Sequence, residues 1–144
     1  MDTKNFLHEL NCIKNRLLCF DTKNIQVGLE VACSIRGLGT AGASGLLALM
    51  YPDEFGTVDQ FVVKALIDVV GLPEEDLLES MTPEGLSIND GVTLIRIFQK
   101  KAASNNEKFG TKFWSPRKIE KILWTYGRSQ NDRTIASRSP HAKM

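Results

Sequence analysis

At 144 residues, 42% hydrophobic and 24% charged, the chain is long enough for one domain with a single core and too ordinary in composition for wholesale disorder. No apolar run reaches membrane-spanning length, no signal-peptide pattern opens the chain, and three cysteines without a C-x-x-C pair argue against a disulfide framework, a zinc site or a cysteine-ligated cluster. A soluble protein of the reducing cytoplasm, without a membrane partner, is expected, and the net charge of +1 by itself selects no ligand.

The elements read almost entirely as helix. Phe6, Leu10, Ile13 and Leu17 recur at helical spacing, which predicts a first amphipathic helix over Lys4–Cys19. Asp21 or Thr22 is the expected cap of a second helix that turns Ile25, Leu29 and Ala32 inward. A short turn, Ile35-Arg36-Gly37-Leu38-Gly39, follows, and then an Ala-, Gly- and Leu-rich helix over Ala41–Met50 that Pro52 ends. Asp59 stands just before the apolar run Phe61–Ile67, the position of an N-cap. Gly71 is read as closing that helix and Pro73 as opening the next, with Glu74, Glu75 and Asp76 in its first turn. A further helix is expected over Asp90–Ala103 on Val92, Ile95 and Phe98, and a last one from Ser115-Pro116 to a stop at Gly127. The sum is an all-α domain of six or seven helices over 1–127, with 128–144 as a disordered tail.

Charge is distributed unevenly. Residues 53–90 hold ten acids against Lys64 alone, a net of −9, whereas residues 96–128 hold nine bases against two acids, a net of +7. The basic block is interleaved with Phe109, Phe113, Trp114, Trp124 and Tyr126, a pattern compatible with a phosphate backbone, although charge runs are more often the solvated surface of helices over an aromatic core. Trp114 and Trp124 are assigned to the core, and His8 and His141 stand apart from any ligand cluster.

The turn is where chemistry enters. Two glycines let the backbone take positive φ and expose its amides together with those of the next helix N-terminus, a cradle for an anion. Gly37, Leu38, Gly39, Thr40 and Ala41 would form it, with the Thr40 hydroxyl as an extra donor. The longer string, Ile35-Arg36-Gly37-Leu38-Gly39-Thr40-Ala41-Gly42-Ala43-Ser44, followed by an apolar helix and then by Phe55-Gly56-Thr57-Val58-Asp59, resembles in ungapped register the signature of the helix-hairpin-helix DNA glycosylase superfamily of endonuclease III-like proteins. The resemblance covers about residues 25–70. It implies double-stranded DNA as partner, with the hairpin amides on the backbone and Asp59 as the catalytic carboxylate; the basic block adds Lys118 and Lys121 as expected backbone contacts if the last helix lies beside the duplex. A monovalent cation on the Gly37, Leu38 and Gly39 carbonyls is a further implication; no other cofactor or metal is expected.

The departures narrow the chemistry. Bifunctional members carry a lysine nucleophile where this chain has Ala41, so only a monofunctional route, without Schiff base or lyase step, is open. Lys64, five residues beyond Asp59, is expected off the far side of its helix. About 35 residues precede the hairpin, fewer than the full family fold uses, so the chain reads as a truncated member or as one whose fold a partner or second copy completes. The competing reading is a non-enzymatic DNA-binding or protein-interaction module in which the glycine turn serves packing alone.

Overall fold

Residues 3–138 are described in the computed structural model, and all regular structure in them is helical: α1 Thr3–Cys19, α2 Ile25–Cys33, α3 Thr40–Met50, α4 Gln60–Ile67, α5 Glu75–Ser80, α6 Ile88–Phe109 and α7 Pro116–Arg138. The all-α expectation of six or seven helices holds, with seven among the described residues. No described helix is long and apolar enough to cross a membrane.

The caps explain most boundaries. Asn24, rather than Asp21 or Thr22, caps α2 by accepting from the Val27 amide at 3.1 Å, while Asp21 closes its own turn onto Lys23 N. α6 starts two residues earlier than expected because Ser87 and Asp90 form a reciprocal capping box. It runs on through the polar stretch to Phe109, where Gly110 takes φ +60° and ends it. Pro116 occupies the first turn of α7, where a missing N–H costs nothing.

Two predicted stops behave differently from their reading. Gly71 sits at φ +83° in the turn beyond α4, which itself ends at Ile67. Gly127 does not stop α7, which continues to Arg138 and makes the first part of the expected tail helical; residues 139–144, including His141, lie outside the described residues. The extension is held by an Arg128–Asp132 ion pair at i, i+4 and by Lys64 Nζ on Asn131 Oδ1 at 3.3 Å. Gly127 is there for another reason. It is buried, and a Cβ on it would fall inside the van der Waals shell of the Phe61 carbonyl, so α7 crosses α4 backbone to backbone.

α2 packs on α3 and α6, and α6 packs in turn on α7, enclosing Leu29, Leu47, Phe55, Val58, Val62, Leu94 and Phe98, all fully buried. Gly91 lets α6 approach Thr40 and Leu29 closely. α1 joins this body only through its C-terminal half: Ile13 and Leu17 are buried, but Phe6 and Leu7 are exposed. The amphipathic face of α1 is therefore half used.

Candidate nucleic-acid interface

The hairpin is built by contrast between its two glycines. Gly37 takes φ +88°, the left-handed region, and the Leu38 amide closes the turn onto Ile35 O at 3.2 Å. Gly39 is extended at φ −85°, so the expectation of positive φ at both is corrected: only Gly37 needs to be glycine for conformation. Gly39 is the N-cap of α3 and brings no side chain to it, which leaves the amides of Thr40, Ala41 and Gly42 without a partner among the described residues. The Thr40 hydroxyl is no part of the cradle. Its side chain is buried, with the methyl toward Gly91 and the hydroxyl against the Cys33 thiol. Of the three implied cation ligands, the carbonyls of Gly37 and Leu38 accept no backbone hydrogen bond among the described residues, while Gly39 O is taken by Ala43 N at 2.9 Å.

Asp59 caps α4 as expected. One carboxylate oxygen, Oδ1, accepts from Phe61 N and Val62 N, both at 3.0 Å, and the other oxygen has no partner among the described residues. Ser44 ties this cap to the hairpin helix: its buried hydroxyl donates to Ala41 O at 2.7 Å and accepts from Val58 N at 2.9 Å. A lone serine within the otherwise apolar run Ala41–Met50 is the sequence signal that marks it.

A cleft of about 330 Å³ runs from the hairpin to the cap, lined by Gly39, Thr40 and Ala41 on one side and Asp59, Gln60 and Phe61 on the other. Pro83, Glu84 and Leu86 of the loop before α6 complete it. Ala41 and Asp59 thus line one cavity. Its charged lining residues, Asp59 and Glu84, are both acidic. Lys64 is not on the far side as expected; its ammonium lies 4.0 Å from Glu84, 3.1 Å from Gln60 Oε1 and over the Phe61 ring.

A second cavity of about 400 Å³ shares Asp59 and is lined also by Thr57, Arg117, Glu120, Lys121 and Trp124. Here the charges balance. Arg117 donates to Thr57 Oγ1 at 3.1 Å and to Glu120 Oε2 at 2.7 Å, and burial of Glu120 pushes its carboxyl above the ordinary range, opposed by Arg117 and reinforced by Asp59. Of the two predicted phosphate-binding lysines, Lys121 is exposed on this cavity. Lys118 is not: its ammonium sits 3.5 Å over the Phe113 ring and bonds Phe113 O, turned back on its own loop.

Trp124 corrects another assignment. It is 37% exposed on the cavity wall, outside the core, and meets Phe61 edge-on at 5.9 Å with the Arg128 guanidinium over both rings. Trp114 does pack against the core, and Asn106 clamps its backbone from α6 through two bonds of 2.9 Å. Cys12, Cys19 and Cys33 are free thiols, and His8 lies on exposed α1 with only Cys12 beside it. Among the described residues no group of three His, Cys, Asp or Glu side chains comes together as a metal site.

No protein-family model, curated protein or solved structure gives a significant match to this chain.

Proposed function

We propose that the chain is a DNA-backbone-binding domain of helix-hairpin-helix type that works as a monofunctional base-excision glycosylase. One observation carries this: the N-terminus of α3, which no side chain caps, and Asp59, with one carboxylate oxygen unpartnered among the described residues, line a single cleft. In this reading the amides hold a phosphate, Lys121 adds a second backbone contact, and an extruded base enters between hairpin and cap. Phe61 offers that base an aromatic edge. The phosphate stays at the rim of the cleft, on the α3 amides, and the acidic lining of Asp59 and Glu84 suits the positive charge that develops on a sugar as its base departs, with Asp59 as the carboxylate that stabilises it. No amine stands at position 41, so the sugar is attacked by water alone.

The test is a titration of duplex DNA at two salt concentrations, followed by a panel of lesion-bearing duplexes cleaved with alkali. Expected are salt-sensitive binding, a slope reduced by about 0.9 in Lys121→Gln, and binding without excision in Asp59→Asn, which keeps the cap. Ala41→Lys puts an amine across from Asp59 and is expected to give a borohydride-trapped adduct on abasic DNA that the parent does not give. Salt-insensitive behaviour or no binding at micromolar protein rejects the DNA reading; full excision in Asp59→Asn rejects the catalytic role.

A second reading, a protein-interaction module, is favoured by the apolar residues Phe6 and Leu7 left uncovered on α1. Light scattering over a concentration series separates the two.

A further inference from the structure

A third cavity, of about 350 Å³, opens between the turn after α4, the middle of α6 and the start of α7 and shares no lining residue with the two beside Asp59. Leu66, Ile97 and Ile119, each nearly fully buried, form its floor, and Val69, Leu72 and Leu123 its walls, so its surface is almost all hydrocarbon. Leaving such a surface to water is unfavourable by about 25 cal/mol for every Å². The volume lies at the lower end of small-molecule sites, which run from about 300 to 1,000 Å³.

The rim supplies the sign of the ligand. Three charged residues line the mouth, Glu74, Lys100 and Lys101. Glu74 is largely shielded and accepts from Lys100 at 3.2 Å, which cancels one pair of charges. Lys101, exposed, has no ion pair or hydrogen bond among the described residues. The mouth is therefore left with one uncompensated positive charge, and Ser104 beside it adds a neutral hydroxyl. An apolar trough ending in one cation and one hydroxyl complements a hydrocarbon body that ends in one anion.

We infer that this groove binds a small amphiphilic carboxylate, an aliphatic chain of medium length lying on Leu66, Ile97 and Ile119 with its head on Lys101. The inference stands independently of the DNA reading, because it uses none of the same residues.

Octanoate is the probe, titrated into the full chain and followed by calorimetry and by NMR shifts of the Leu66, Ile97, Ile119 and Leu123 methyls. Expected is saturable binding at one site, with shifts confined to those methyls. Acetate, which keeps the head and loses the chain, and octylamine, which keeps the chain and reverses the charge, both bind more weakly, octylamine by up to about fivefold, the size of an exposed ion pair. Lys101→Glu lowers octanoate affinity by roughly the same factor and raises that of octylamine. Ser104→Phe, on an exposed position of α6, blocks the mouth to both without changing the melting temperature of the free protein. Equal affinity for octanoate and octylamine in the parent overturns the proposal, as does octanoate binding unaltered in both variants. Shifts of the groove methyls on dilution alone assign the groove to a second copy, and capture of the protein by vesicles without a saturable octanoate site assigns it to a membrane surface; either result also overturns it.

Discussion

The hairpin between α2 and α3 and the crossing of α4 with α7 each turn on a glycine, for opposite reasons. At Gly37 a Cβ would meet nothing within 4 Å, and the residue is there for its φ of +88°. At Gly127 the backbone is ordinary helix and all of the constraint is steric, because the Phe61 carbonyl occupies the space a side chain would need. One glycine bends a chain in open solvent; the other removes a side chain so that two helices touch. Both set the cleft, since Phe61 follows Asp59 by two residues and the hairpin supplies the facing wall. Conformational strain of this kind costs about 1–2 kcal/mol, whereas backbone overlap in a packed interior costs more and cannot relax locally.

That difference in scale is open to measurement. Gly127→Ala is expected to lose about 3 kcal/mol or more in urea unfolding, with α7 displaced from α4; a loss under about 0.5 kcal/mol would show that the crossing yields and would erase the contrast. Ser44→Ala ranks next. It strands the buried Val58 amide and is expected to cost about 1–3 kcal/mol, with faster hydrogen exchange at Val58 than anywhere else in the loop. Gly37→Ala is expected to cost about 1 kcal/mol, while Gly39→Val, at an extended position with open space, should leave stability within about 0.5 kcal/mol and weaken DNA binding by covering the α3 amides. If Gly39→Val unfolds the protein and Gly37→Ala does not, the roles assigned to the two glycines are reversed.

The smallest effect concerns Glu120, where α7 meets the cap region. Its folded-state carboxyl is raised, chiefly by burial, so the folded protein holds this proton more tightly than the unfolded chain does. Glu120 then contributes most at low pH, and that contribution is lost as pH rises from the unfolded value of about 4.5 through the higher folded one. The melting temperature of the parent minus that of Glu120→Gln should accordingly fall from pH 4 toward pH 7. A difference that rises instead would mean that Arg117 outweighs burial.

Much of this was legible in the residues. Apolar spacing located the helices, and Val58-Asp59 before Phe61–Ile67 announced a cap that the carboxylate does form. What escaped depends on partners distant in sequence. Gly127 reads as a stop until Phe61 is seen beneath it, and Trp124 reads as core until its exposed edge on the Asp59 cavity is seen. Lys118 and Lys121 look alike in sequence; only the Phe113 ring under one of them separates their roles. Thr40, next to the hairpin, turns inward because Gly91 of α6 leaves room for it.

One feature of α7 has thermodynamic weight beyond packing. Ile119 and Leu123 line the apolar groove, while Glu120, Lys121 and Trp124, one or two residues away along the chain, line the cavity at Asp59. The same rigid rod is thus wetted on two sides by two separate compartments. Linkage requires that their occupancies be coupled with a single free energy, equal in both directions. A molecule in the groove that displaces α7 changes affinity at Asp59 by some factor, and a ligand at Asp59 changes affinity in the groove by that same factor. One that leaves α7 where it is gives a factor of one at both.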